Sequence, residues 1–185
     1  MRGCSIGLFL VAAIVIFFGA VAFALLASPA GSPQVTPVPV STEAVARFDT
    51  KIATVQNATA PTTIEIDEEE ATSKVAALIA SEPGAPKVDK PQVNFRDGKV
   101  QISGTTSDTP IPISFVITGR IEAVDGRPKV IVEEVDAGRL PIGGALQSQV
   151  DSLIAEQDRL FGELPVYVTE VLVLEGKLVV TGQPR

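Results

Sequence analysis

With no histidine among its 185 residues and a single cysteine, Cys4, placed ahead of a long apolar run, the chain lacks the usual general base and commonest metal ligand, and forms no internal disulfide. The formal charge is −7. Arg2 is the one charged residue before Glu43, so the 22 acidic and 14 remaining basic residues give the later part −8, a balance that repels phosphate, argues against nucleic acid as a partner and disfavours docking on an anionic bilayer.

From Ile6 to Ala27 the chain is almost wholly apolar. At about 1.5 Å per residue this run makes roughly 33 Å of helix, against a hydrocarbon core of about 30 Å. It predicts a signal anchor or transmembrane helix over residues 1–27, the alternative being a cleavable signal peptide cut after Ala22-Phe23-Ala24 or Ser28-Pro29-Ala30. Arg2 and the amino terminus place the amino end in the cytoplasm, so the expected arrangement is a single-pass membrane protein with an extracytoplasmic domain, or a secreted one after cleavage. Cys4 precedes the run and is read as an incidental thiol, being badly placed for a lipoprotein cleavage cysteine.

Residues 28–41 carry Pro29, Pro33, Pro37 and Pro39 among small residues and read as an extracytoplasmic stalk of about 43 Å if fully extended. Residues 42–185 read as one α+β domain, long enough to bury a core without disulfides. Its pattern turns helical at Thr42, with Val45, Phe48, Ile52 and Val55 on one face. Whether this helix docks on the domain or continues the stalk is open at this level. Asn57-Ala-Thr59 is an ordinary polar loop or a glycosylation acceptor.

A short strand, Thr63 to Ile66, leads into a second helix that Asp67 caps, and Glu68 to Glu70 fall on the positive end of its dipole. That accounts for the acidic run structurally. Calcium is the sharper alternative, but consecutive helical residues point about 100° apart and do not converge on one ion. The remainder reads as strand punctuated by Asp97-Gly98, Asp125-Gly126 and Glu175-Gly176, each a hairpin turn. The longest strand, Ile111 to Val124, alternates: Ile111, Ile113, Phe115, Ile117 and Ile121 face one side and Ser114, Thr118, Arg120 and Glu122 the other. A further helix, about Gly144 to Gly162, offers Leu146, Val150, Leu153, Ile154, Leu160 and Phe161 to cover the dry face, with Gln157 read as a satisfied interior amide. Residues 93–104 and 171–182 echo each other around an acidic-Gly-Lys turn, through duplication or through shared turn chemistry.

No catalytic or cofactor motif emerges. Ser-x-x-Lys and Gly-x-Ser-x-Gly are absent, Gly143-Gly144 lacks the phosphate-loop pattern, and pairs chosen from 22 carboxylates select nothing. The chain is therefore read as a non-enzyme with no cofactor and no metal, an acid–base glycosidase being the remaining enzymatic alternative. Binding an acyl chain needs no motif, because each buried methylene contributes about 0.8 kcal/mol.

In the order of these elements, from Ile64–Ala80 through Gly98–Gly104, Thr118–Gly126, Gly138–Ile142, Leu164-Pro165 and Glu175–Gly182, the chain resembles small bacterial envelope proteins of the LmeA and YpmS type, with TULIP-like (tubular lipid-binding) domains. The resemblance spans about residues 62–183. It implies a curved antiparallel sheet of hairpins packed on one or two amphipathic helices, with an apolar groove that in some relatives holds phospholipid. A unit of this size is shorter than the two-lobed members, so a complete tunnel implies a dimer. The expected function is an anchored extracytoplasmic domain that binds a lipid or other long apolar ligand in envelope maintenance or lipid transport. Ile113, Phe115, Ile117, Leu146, Val150, Leu153 and Ile154 are its candidate lining. The alternative is a protein-interaction domain of the cell envelope with a filled core, acting as a homodimer or on an envelope partner.

Overall fold

The computed structural model describes residues 37–81, 87–106, 112, 114–136 and 166–184. The apolar run at Ile6–Ala27 and the helix expected at 144–162 lie outside the described residues, as do Ile111 and Ile113. Among the described residues no helix is long and apolar enough to cross a membrane.

Helix α1, Thr42–Gln56, begins where the Ser41 side chain accepts from the backbone N–H of Ala44 at 3.1 Å, satisfying one of the otherwise unpartnered amides of the first turn. Ala44, Phe48, Ile52 and Val55 form its buried stripe. Ala44, not Val45, occupies the innermost place in the first turn; Val45 is half-buried. This helix docks on the domain, which answers the question that its periodicity leaves open.

Strand β1, Thr62–Asp67, runs into helix α2, Glu68–Ser81, through a capping box. Asp67 Oδ1 accepts from the Glu70 N–H at 2.8 Å, and Glu70 Oε2 accepts from the Asp67 N–H at 3.0 Å. The three acidic residues then reach out to partners on other elements, Glu69 and Glu70 sharing Arg47. Glu68 binds Arg96 and accepts from the Phe95 N–H at 2.7 Å, Glu69 takes Arg47 at 3.0 Å and the Ser41 hydroxyl at 3.1 Å, and Glu70 takes Lys51 at 2.6 Å. Their carboxylates fasten α2 to α1 and to the sheet.

The described strands form two antiparallel sheets, where the family resemblance implies one curved sheet. One has the order β1-β7-β6, with β6 at Val166–Leu174 and β7 at Lys177–Pro184. The other has the order β2-β3-β4-β5, with β2 at Val88–Arg96, β3 at Lys99–Thr106, β4 at Ser114–Val124 and β5 at Arg127–Asp136. Each Asp-Gly turn places both residues at positive φ, Asp97 at 52° with Gly98 at 72° and Asp125 at 51° with Gly126 at 76°, the type I′ geometry that follows the twist of the flanking strands. In the third turn only Gly176, at 76°, is left-handed, which is the type II pattern. That turn leans on the first: the Gly176 N–H donates to the Phe95 carbonyl at 3.0 Å and Glu175 accepts from the Asp97 N–H at 2.9 Å. The two echoing segments are thus hairpins of matching register that meet at their tips.

Strand β2 is the edge of its sheet, and an open edge is a template for further strand pairing. Helix α2 covers it. The Thr72 hydroxyl accepts from the Val93 N–H at 2.9 Å and reaches the Val93 carbonyl at 3.3 Å, while Glu68 takes the next free amide at Phe95.

One core joins both sheets and both helices, centred on Phe48, Ile66, Val75, Val93, Phe95, Phe115, Ile117 and Leu178. Alternation in β4 holds as expected: Phe115 and Ile117 are buried and Arg120 is exposed. Gly119 is needed on the dry face because a Cβ there would stand 2.6 Å from the Ile131 carbonyl oxygen, at the bulge where β5 inserts Glu133. Glu133 binds Lys99 at 2.7 Å and Arg120 at 2.5 Å. The hydrogen bond from Lys99 is the main reason its carboxyl titrates below the usual range, with both positive charges adding to the effect. A depressed folded value contributes stability above the unfolded carboxylate range, lost as pH falls through the folded value. Urea unfolding of Glu133→Gln should therefore show a small deficit at neutral pH that closes in acid and shrinks in high salt, since these groups are solvent-exposed.

Candidate functional site

Within the core lies a void of about 20 Å³, lined by Phe48, Ile66, Val75, Val93, Phe95 and their neighbours. A water needs at least about 10–15 Å³ and two or more polar partners, so these apolar walls enclose no ligand-sized space. Lys74 closes one side with its stem while its ammonium reaches Asp49 at 2.7 Å. Of the candidate lining residues, Phe115 and Ile117 on β4 are buried in the joint core, 1% and 2% exposed, and neither borders this void. Ile113, Leu146, Val150, Leu153 and Ile154 lie outside the described residues.

A larger space opens at the end of the sheet, a cleft of about 460 Å³. Pro37, Val38 and Val40 form one wall; Lys90 and Gln92 of β2, Ser103–Thr105 of β3 and Ser114 and Phe115 of β4 form the other. Phe115 thus borders both the core and the cleft. Gly104 makes this close packing feasible, because a Cβ on it would stand 2.5 Å from the Val88 side chain and 3.2 Å from the Phe115 ring.

The outer wall belongs to the proline-rich segment. Proline resists helix and leaves backbone groups without strand partners, and here a side chain supplies them. The Gln92 amide accepts from the Val38 N–H through Oε1 and donates to the Val38 carbonyl through Nε2 at 3.3 Å, much as a neighbouring strand would. Three residues on, the Ser41 N–H donates to the Ser73 hydroxyl at 3.0 Å. Pro37–Ser41 is therefore laid against the domain.

Lys90 sits where β2 departs from regular pairing, between Asp89 and Gln92, with φ at 49°. A left-handed backbone costs a non-glycine residue about 1–2 kcal/mol. The buried Pro91 that follows has no N–H to lose, so the bulge forms without an orphaned donor there. Above the floor of the cleft the Thr105 and Ser114 hydroxyls lie 3.1 Å apart. One residue pair beyond Gln92 on the same strand face, Asn94 is 3% exposed and neither amide atom has a hydrogen-bond partner.

Val38, Val40, Lys90 and Gln92 are absent from the sequence-based lining. Pro91 inside a strand-forming run is the one local signal of a bulge on an edge strand, whereas nothing near Gln92 announces a partner 54 residues away. Among the described residues no three acidic or thiol ligands gather to hold a metal ion. No protein-family model, no curated protein and no solved structure matches the chain.

Proposed function

We propose that the protein is a membrane-anchored extracytoplasmic domain that binds a lipid or other long apolar ligand, in envelope maintenance or lipid transport. The observation that carries this reading is the 460 Å³ cleft, one wall of which is the chain segment leading back toward the apolar run. The volume falls within the range of about 300–1,000 Å³ typical of small-ligand sites. Valines and a phenylalanine beside hydroxyls and an ammonium suit an amphiphile, and ten buried methylenes contribute about 8 kcal/mol before costs. The finer fold that accompanies this reading is TULIP-like, with the helix expected at 144–162 against the dry face of β4. Full-length protein extracted from its own membranes should yield bound lipid in organic extracts analysed by mass spectrometry. Failure to retain or take up any lipid from a native membrane extract overturns the reading.

A second reading is favoured by the filled interior around Phe48, Phe95 and Leu178: an interaction domain tethered to assemble envelope proteins, as a homodimer or with a partner. Lipid-free protein that runs as a defined dimer or carries a stoichiometric envelope partner would favour it.

A further inference from the structure

We propose that the cleft holds an amphiphile with a phosphate or carboxylate head at Lys90 and its chain between Val38, Val40 and Phe115, so that the end of the proline-rich segment is itself part of the binding site. This rests on the lipid-binding reading above and adds to it the head chemistry and the wall that clamps the chain.

Three observations converge on it. Among the described residues Lys90 has no carboxylate partner, a state it shares with Lys129, whereas Lys74, Arg96 and Lys99 each have one. It also occupies a left-handed position that glycine would fill at lower cost, so local folding does not account for a lysine there. The wall opposite is held by the Gln92 amide on the Val38 backbone, an attachment that one side chain governs. Val38 lies eleven residues beyond Ala27, an extended reach of about 34 Å, which keeps the cleft near any bilayer in which Ile6–Ala27 is seated. The acidic domain is repelled from an anionic surface as a whole, yet that field is screened beyond about 8 Å at physiological salt, so a single head inside the cleft responds to Lys90.

The test uses the full chain in phosphatidylcholine nanodiscs carrying, at equal mole fraction, either phosphatidic acid or phosphatidylcholine with a photoreactive acyl chain. Cross-links on the peptides containing Val38–Val40 and Phe115 should be about three- to tenfold more abundant with phosphatidic acid. Lys90→Gly should abolish that preference while its melting temperature stays level or rises, which separates loss of the ligand contact from loss of the fold. Gln92→Leu should reduce labelling by both lipids. Equal labelling of the two lipids by the wild type, or an unchanged preference in Lys90→Gly, overturns the proposal. A preference erased by millimolar inorganic phosphate overturns the lipid head in favour of a free anion. Lipid recovered in organic extracts without cross-links in the cleft overturns this site alone and leaves the function proposed above standing.

Discussion

Glu70→Ala is expected to lower the unfolding free energy by about 2–4 kcal/mol, measured by urea or thermal unfolding at neutral pH. The Glu70 side chain is fully buried and serves three groups: it accepts from the Asp67 N–H, takes Lys51 at 2.6 Å and receives Arg47 at 3.4 Å. Removing one member of a fully buried ion pair costs about 3–5 kcal/mol because the other charge is stranded. Here the side chains left behind are 34% and 46% exposed and can rehydrate, and Arg47 keeps Glu69, so the loss should fall around the lower end of that range or somewhat below it. Glu70→Gln should cost less, since its carbonyl oxygen can still close the capping box. A change within about 0.5 kcal/mol for Glu70→Ala, the scatter of ordinary surface substitutions, would show that the α1–α2 contact does not depend on this carboxylate.

Phe115→Ala should be the most damaging single truncation on β4, at about 3–5 kcal/mol. Its ring is 1% exposed, packs in the joint core, and separates that core from the cleft. The ring also fills space that Gly104 leaves open, so its loss creates a hole bordered by Val88 and the Gly104 backbone, with no side chain on Gly104 to collapse into it. Under the proposed function the variant should retain less lipid even in the fraction that stays folded, because the cleft loses its apolar floor. If lipid retention is unchanged while stability falls, Phe115 is a core residue alone.

The elements most plainly foretold are those whose causes lie within a few residues of one another. The stripe Phe48, Ile52, Val55 follows from helical spacing, and the start of α2 follows from Asp67 and the Glu three positions on. Both Asp-Gly hairpins follow from residues that tolerate positive φ, and the buried face of β4 follows from strict alternation. Even the acidic run is correctly explained as helix chemistry, although the dipole accounts for only part of what Glu68, Glu69 and Glu70 do.

What escapes such reading depends on partners far away along the chain. The third turn contains an acidic residue and glycine like the others in outline, yet only Gly176 is left-handed, and its amide is taken by Phe95. The division into two sheets is decided by which strands find each other: β7 is bordered on its two sides by β1 and β6, which lie far apart along the chain, and no periodicity within a strand encodes that choice. Ser41 reads locally as the end of a stalk; its contacts with Ser73 and Glu69 make it the joint between that segment, α1 and α2. The candidate cleft belongs to this second class. Its apolar floor at Phe115 is visible in the alternation of one strand, but the cleft exists because Gln92 holds Val38 across 54 residues, with Lys90 at the bulge of β2 on its border. Local backbone preference acts over a few bonds and is written residue by residue, whereas a cleft is the space left between segments, and that space is defined only once their long-range pairing is complete.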